Sequence, residues 1–226
     1  MKPARGHILM CGYAPSTQAA LKELPEQIAG PGVTILSRNP VPEMAGVTHL
    51  KLDYLDVANL RNSRVGLSTC SVCVVFAEST DSGESPRVVD MHTVLAVYTI
   101  KKERPDVPMI AEVVDRENTA IIDDLRCADV IYKETIDSNL ITSCILHPNI
   151  SPIFYDLLTV HGKVLRRTTT EELGMAGSEV TYRDIRLRGL EQDVTYLGYI
   201  ARSGSVELMP PNDTIILSDY HLVYIE

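Results

Sequence analysis

Over the first 135 residues, apolar runs of strand length alternate with stretches whose apolar positions recur every three or four residues. His7-Ile8-Leu9-Met10-Cys11 is a short apolar run that stops at Gly12. Ser16 and Thr17 are placed to cap a helix whose apolar face is Ala20, Leu21 and Leu24, and Pro25 with Gly30-Pro31-Gly32 closes that unit. Residues 33–36 and 48–52 read as the second and third strands, the latter ending at Asp53, and 57–61 as a short helix. Residues 72–77 are a fourth, strongly apolar strand. Residues 86–102 carry Val89, Thr93, Ala96, Val97 and Ile100 at helical spacing. A fifth strand is expected at 107–113, a helix at 119–125 and a sixth strand at 130–132.

Near-continuous apolar strands alternating with helices imply a parallel sheet covered on both faces. Right-handed crossovers then give an α/β fold, a Rossmann-like doubly wound parallel sheet. Ligands of such sheets sit at the carboxyl ends of the strands. That selects Gly12 to Thr17, Ser37, Arg38, Asp53, Tyr54, residues 76–80 and residues 112–115.

The pattern changes after residue 136. Residues 139–146 and 153–158 read as two apolar helices around His147-Pro148, forming a helical crossover that needs a partner subunit or a C-terminal lobe to bury it. A polar stretch at 166–177 follows. Short strands are then expected at 182–187, 196–201, 206–209, 214–217 and 222–225, with a helical turn at 189–193. The expected organisation is an N-lobe at 1–136, a crossover at 137–160 and a small α+β C-terminal lobe at 161–226.

Composition narrows the function. The 226 residues carry 30 acidic and 21 basic side chains, a formal charge of −9, so no nucleic acid is expected as a partner. Trp is absent and Phe occurs twice, leaving few stacking platforms for single strands. At 45 % hydrophobic the chain has material for a core, yet no stretch approaches the roughly 18–20 apolar residues of a membrane helix. The five cysteines are irregularly spaced and no export signal precedes them, which argues against a disulfide framework. Cys70 and Cys73 form a C-x-x-C that leads into a buried strand, so it reads as structural.

The candidate site is the loop Gly12-Tyr13-Ala14-Pro15-Ser16-Thr17, which keeps only the first glycine of the dinucleotide fingerprint and places a proline where an amide donor would stand. Ser37 and Arg38 replace the acid expected after the second strand. Arg38 suits a phosphate of an adenine nucleotide or a 2′-phosphate, and an exposed structural arginine is the bland alternative. Asp53 could meet a ribose or cap the next turn, and Ala77 lines the crevice at the fourth strand's end. Glu112 and Asp115 follow the fifth strand, with Glu78, Asp81 and Glu84 after the fourth. Carboxylates from adjacent strand ends suit a hard cation such as Ca²⁺, and chance clustering is the competing reading in so acidic a chain. No histidine has a partner at H-x-x-x-H spacing, and there is no G-x-S-x-G or P-loop. No residue set can be assigned to catalysis, so the chain is not expected to be an enzyme. A small Rossmann dehydrogenase is the outlying reading.

The run from His7 to Thr17 resembles the opening of an RCK domain, a regulator of potassium conductance, in its channel form: an apolar strand, then C-G-aromatic-x-x-S-T. Leu52-Asp53, Ile110-Ala111-Glu112, the run Leu125 to Ile131 and Asn212-Asp213-Thr214-Ile215-Ile216 resemble further family motifs in order. The resemblance implies a cytosolic ligand-sensing domain at the cytoplasmic face of the membrane. It implies a homodimer through residues 137–159, an octameric gating ring, and control of a potassium channel pore that lies upstream of Met1 or on a separate chain. The implied ligand is a divalent cation, Ca²⁺, or an adenine nucleotide. Of the calcium ligands of archaeal members, only Glu112 carries over: the aspartate position falls at Phe76 or Ala77, and the second glutamate at Val114. The alternative is a nucleotide-binding regulatory subunit of an uptake system similar to TrkA and KtrA.

Overall fold

The computed structural model describes residues 6–24, 32–79, 83–118, 122, 125, 127, 129–158, 164–175 and 179–226. The chain forms two compact units, residues 2–148 and 149–226.

In the first unit the elements are β1 (Ile8–Cys11), α1 (Pro15–Glu23), β2 (Val33–Leu36), β3 (Val47–Leu50), α2 (Val57–Leu60), β4 (Val72–Val75), α3 (Pro86–Glu103), β5 (Met109–Val113), β6 (Asp129–Tyr132) and α4 (Lys133–Leu146). A single 3₁₀ turn, Arg116–Asn118, follows β5. The six strands form one parallel sheet in the order β3-β2-β1-β4-β5-β6. This is the doubly wound order, and its direction of travel reverses between β1 and β4. The crevice of such a sheet therefore opens above Gly12, Phe76 and their neighbours.

Successive residues of a strand point to opposite faces. In β1, Leu9 and Cys11 enter a core with Leu36, Val75, Ala96, Val97, Ile100 and Met109. Ile8 and Met10 enter a second core with Val33, Ile35 and Phe76. All four residues of β1 are buried, as a strand covered on both faces requires. Helix α3 buries Val89, Asp90, Thr93, Ala96, Val97 and Ile100, a face at three- and four-residue spacing. Its first residue is Pro86, where the missing N–H costs nothing. Arg104, just past its end, donates through Nη1 to the carbonyls of Leu67 (2.7 Å) and Cys70 (2.6 Å), which fixes the loop before β4. Cys70 and Cys73 are free and buried.

Two expectations change in this unit. Ser16 and Thr17 do not precede α1 but lie in its first turn, because the extended Ala14 is the N-cap. Helix α4 begins at Lys133, directly after β6, and not near residue 139. Within residues 133–138 Ile136 is the one apolar side chain, so no apolar period marks the helix there. The helix expected at 119–125 lies largely outside the described residues.

The second unit holds α5 (Ser151–Leu158), β7 (Leu165–Thr168), β8 (Val180–Thr181), α6 (Tyr182–Gln192), β9 (Thr195–Ile200), β10 (Val206–Leu208), β11 (Ile215–Ile216) and β12 (His221–Ile225). Antiparallel strands form a sheet β10-β9-β12-β7 and a pair β11-β8. Val180, Tyr182, Ile185, Tyr196, Tyr199, Ile216 and Leu222 are its core. It is an α+β lobe, as expected, with two corrections. Residues 182–187 form the start of α6, not a strand. The Thr181 hydroxyl accepts from the Asp184 N–H (3.3 Å) and the Asp184 carboxylate accepts from the Thr181 N–H (2.9 Å), a capping box that starts a helix. Within the stretch read as polar, 165–168 is strand β7, paired with β12. Its residues are mostly exposed, so it shows no apolar alternation.

Candidate ligand cleft at the strand ends

Gly12 leaves β1 with φ +92°. A Cβ there would lie 2.9 Å from the Phe76 carbonyl oxygen and 3.1 Å from Glu78 Cβ, so both the turn and the packing call for glycine. The Gly12 N–H donates to the Leu36 carbonyl (2.8 Å). This draws the loop against the end of β2.

The donors of the loop then meet groups of the chain itself. The Tyr13 N–H donates to Glu78 Oε1 (3.0 Å). The Ala14 N–H donates to Thr17 Oγ1 (2.9 Å), and Pro15 has no N–H. The Ser16 hydroxyl donates to Glu112 Oε2 (2.9 Å), which also accepts from the Ala77 N–H (3.0 Å). Glu112 therefore joins the ends of β4 and β5 to the first turn of α1.

Glu78 is the central residue of this arrangement. It is 1 % exposed. Its Oε1 also accepts a short hydrogen bond from the fully buried Ser37 hydroxyl, so one carboxylate joins the β1 loop, the end of β2 and the end of β4. Its Oε2 is buried with no hydrogen-bond partner. Burial, followed by the negative charge of Glu78, pushes the Tyr54 hydroxyl well above the usual phenol range, so Tyr54 stays protonated.

The remaining candidates take separate places. Arg38 faces Asp53 with Nε 3.8 Å from Oδ1, both side chains about two-fifths exposed, a weak ion pair. The Arg38 Nε and Nη2 atoms are buried without a hydrogen-bond partner. Asp53 Oδ1 accepts from the Leu55 N–H (3.0 Å) and so closes its own turn. Asp115 does not join Glu112: its Oδ1 accepts from the Glu117 N–H (2.9 Å). Asp90, from the buried face of α3, holds this loop. It accepts from the N–H groups of Val114 (2.8 Å) and Asp115 (2.9 Å) and from Asn118 Nδ2 (2.7 Å).

Sequence reasoning named Glu78 only as one of several acids, and it missed Asp90. The signal for Asp90 was its position between Val89 and Thr93 on an otherwise apolar face, where an acid must find donors.

The fit of the two expected ligands follows from these contacts. A nucleotide phosphate at this turn would be held by loop N–H groups, of which those of Tyr13 and Ala14 are bonded to Glu78 and Thr17. For a cation, no group of three or more His, Cys, Asp or Glu able to hold a metal occurs among the described residues. Also among the described residues, no helix is long and apolar enough to cross a membrane.

Residues 53–111 match the family model of the calcium-activated potassium channel slowpoke-like RCK domain. No curated protein sequence matches the chain. Among solved structures, the human SLO3 gating ring is similar over 98 % of this chain and 44 % of its own, with 15 % identity and a TM-score of 0.73. A GsuK channel bound to NAD is similar over 99 % of this chain and 36 % of its own, at 16 % identity and a TM-score of 0.48. The Shewanella denitrificans Kef CTD in AMP-bound form is similar over 66 % of this chain and 86 % of its own, at 18 % identity and a TM-score of 0.49. The chain thus spans less than half the length of the SLO3 and GsuK chains. At these identities the likeness is one of fold. The family match runs from just after β3 into β5, and the fold over the whole chain is that of the SLO3 gating ring.

Proposed function

We propose that the chain is a ligand-sensing module that dimerises, assembles into an octameric gating ring at the cytoplasmic face of the membrane, and controls a potassium channel pore. The carrying observation is the apolar surface of α4 and α5. In α4, Ile136, Ile141, Ile145 and Leu146 are 48 %, 61 %, 73 % and 67 % exposed. In α5, Ile153, Tyr155 and Leu158 are likewise exposed. Fully burying one such side chain stabilises by about 1.5–3 kcal/mol, so two helices of this kind favour a second copy of the chain. A ligand that binds one ring arrangement more tightly than another then shifts the population of open pores.

The test is electrical. The chain is expressed with its pore, on the same or a separate polypeptide, and potassium current is recorded for the intact sequence and for Ile145→Asp. Potassium current that responds to divalent cations in the first and loses that response in the second is expected. A current indifferent to the presence of this segment would overturn the reading.

The nucleotide-binding regulatory subunit of an uptake system is the second reading. Arg38 at the end of β2, whose Nε and Nη2 make no hydrogen bond, favours it, and the bonded amides of the Gly12 loop oppose it.

A further inference from the structure

We infer that Glu78 is a specificity-determining residue: an internal carboxylate that occupies the anion position of the Gly12 loop and closes the cleft to nucleotides. This inference goes beyond the gating role and does not depend on assembly.

A phosphate bound at the first turn of a doubly wound fold is held by loop N–H groups and by the N-terminus of the following helix. Its oxygens are acceptors with negative charge. Glu78 brings the same chemistry from within the chain. Oε1 accepts from the Tyr13 N–H (3.0 Å) and from the Ser37 hydroxyl, the groups nearest the turn on one side and the end of β2 on the other. Of the other early donors, the Ala14 N–H is bonded to Thr17 and residue 15 is proline, which leaves the Ser16 and Thr17 N–H groups of the helix start. Gly12 makes room for the Glu78 side chain, since a Cβ on Gly12 would press on Glu78 Cβ.

An incoming phosphate would therefore have to displace Glu78 or lie beside it. Displacement leaves a carboxylate that is 1 % exposed without its two donors. Lying beside it sets two negative groups together in a site with little water, where like charges disfavour one another. Arg38 does not reverse the balance. It faces Asp53 at 3.8 Å, and the carboxylates of Glu78 and Glu112 stand at the neighbouring strand ends. Glu78 Oε2, buried without a hydrogen bond and near the protonated Tyr54 hydroxyl, belongs to the same carboxylate. A cleft so arranged rejects mononucleotides and dinucleotides alike, because both present a phosphate to the same loop.

The experiment is an amide NMR titration of the ¹⁵N-labelled chain with AMP and with NAD, on the wild type and on Glu78→Ala. In the wild type the amide signals of Gly12, Tyr13, Ala14, Ser16 and Thr17 are expected to stay in place with either nucleotide. In Glu78→Ala, AMP is expected to shift Tyr13 and Ala14 saturably. The Tyr13 amide should also exchange with solvent roughly tenfold faster or more, while the Phe76 amide, bonded to the Cys11 carbonyl at 2.8 Å, keeps its protection as a control for the fold. Should the alanine variant fail to fold, Glu78→Gln, which removes the charge and keeps the shape, carries the same comparison. Saturable shifts in the wild-type loop would overturn the inference. So would a folded Glu78 variant that remains blind to both nucleotides.

Discussion

Buried carboxylates define this protein at the residue scale, and Glu78, Asp90 and Glu112 are held by donors far away in sequence. Glu78 is 65 residues from Tyr13 and 41 from Ser37, and Ser16 is 96 from Glu112. Cys70 shows the same dependence on surroundings. Burial pushes its thiol from 9.0 up to about 11, with a contribution from Cys73 and opposition from Arg104. The folded protein thus keeps a proton that the unfolded chain releases first. The stabilisation from this group is complete below pH 9 and is lost as pH rises towards 11. The shift corresponds to about 2–3 kcal/mol. Denaturant midpoints measured across that interval should fall for the wild type and fall less for Cys70→Ala, and equal slopes would contradict the assignment. Some of this was legible in the sequence. Gly12 announced a turn because the apolar run stopped there, and the C-x-x-C read as structural because it led into a strand. The pairing of Glu78 with Tyr13 and Ser37 was not legible, because nothing in local periodicity says which of many acids a fold will bury.

At the scale of elements, legibility followed burial. Strands covered on both faces, such as β1, β2 and β4, are apolar runs that admit no other reading. Helix α3 showed its buried face plainly. Elements with one exposed side were harder: β7 is mostly exposed, and the early part of α4 is polar. Residues 182–187 were read as a strand because Tyr182, Ile185 and Leu187 are short-range apolar positions that fit a strand about as well as a helix. The deciding signal was Thr181 three residues before Asp184. That capping box satisfies donors at the start of α6, and Tyr182, Ile185 and Gly189 then face the core. Thr181→Ala should lower the unfolding free energy by about 1 kcal/mol. The loss should appear as reduced helical signal on thermal melting, and an unchanged melt would show that tertiary packing alone fixes this helix.

For the whole molecule, the sheet order followed from chirality and alternation, and the C-terminal lobe from its short, punctuated strands. The carboxyl-end rule selected the loops after β1, β2, β4 and β5, and in the structure Glu78 and Glu112 tie those loops together. Two apolar helices without cover were visible as an unexplained hydrophobic excess after residue 136, and their exposure in the structure makes self-association the central physical claim. Two chains of charge −9 repel each other, so the proposed association must draw its energy from apolar contact. Sedimentation velocity of the wild type and of Ile145→Asp tests this most directly. The wild type should sediment as a dimer or a larger ring and the variant as a folded monomer, since residue 145 is exposed in the single chain. A wild type that stays monomeric at high concentration, or a variant that sediments with it, would contradict the account.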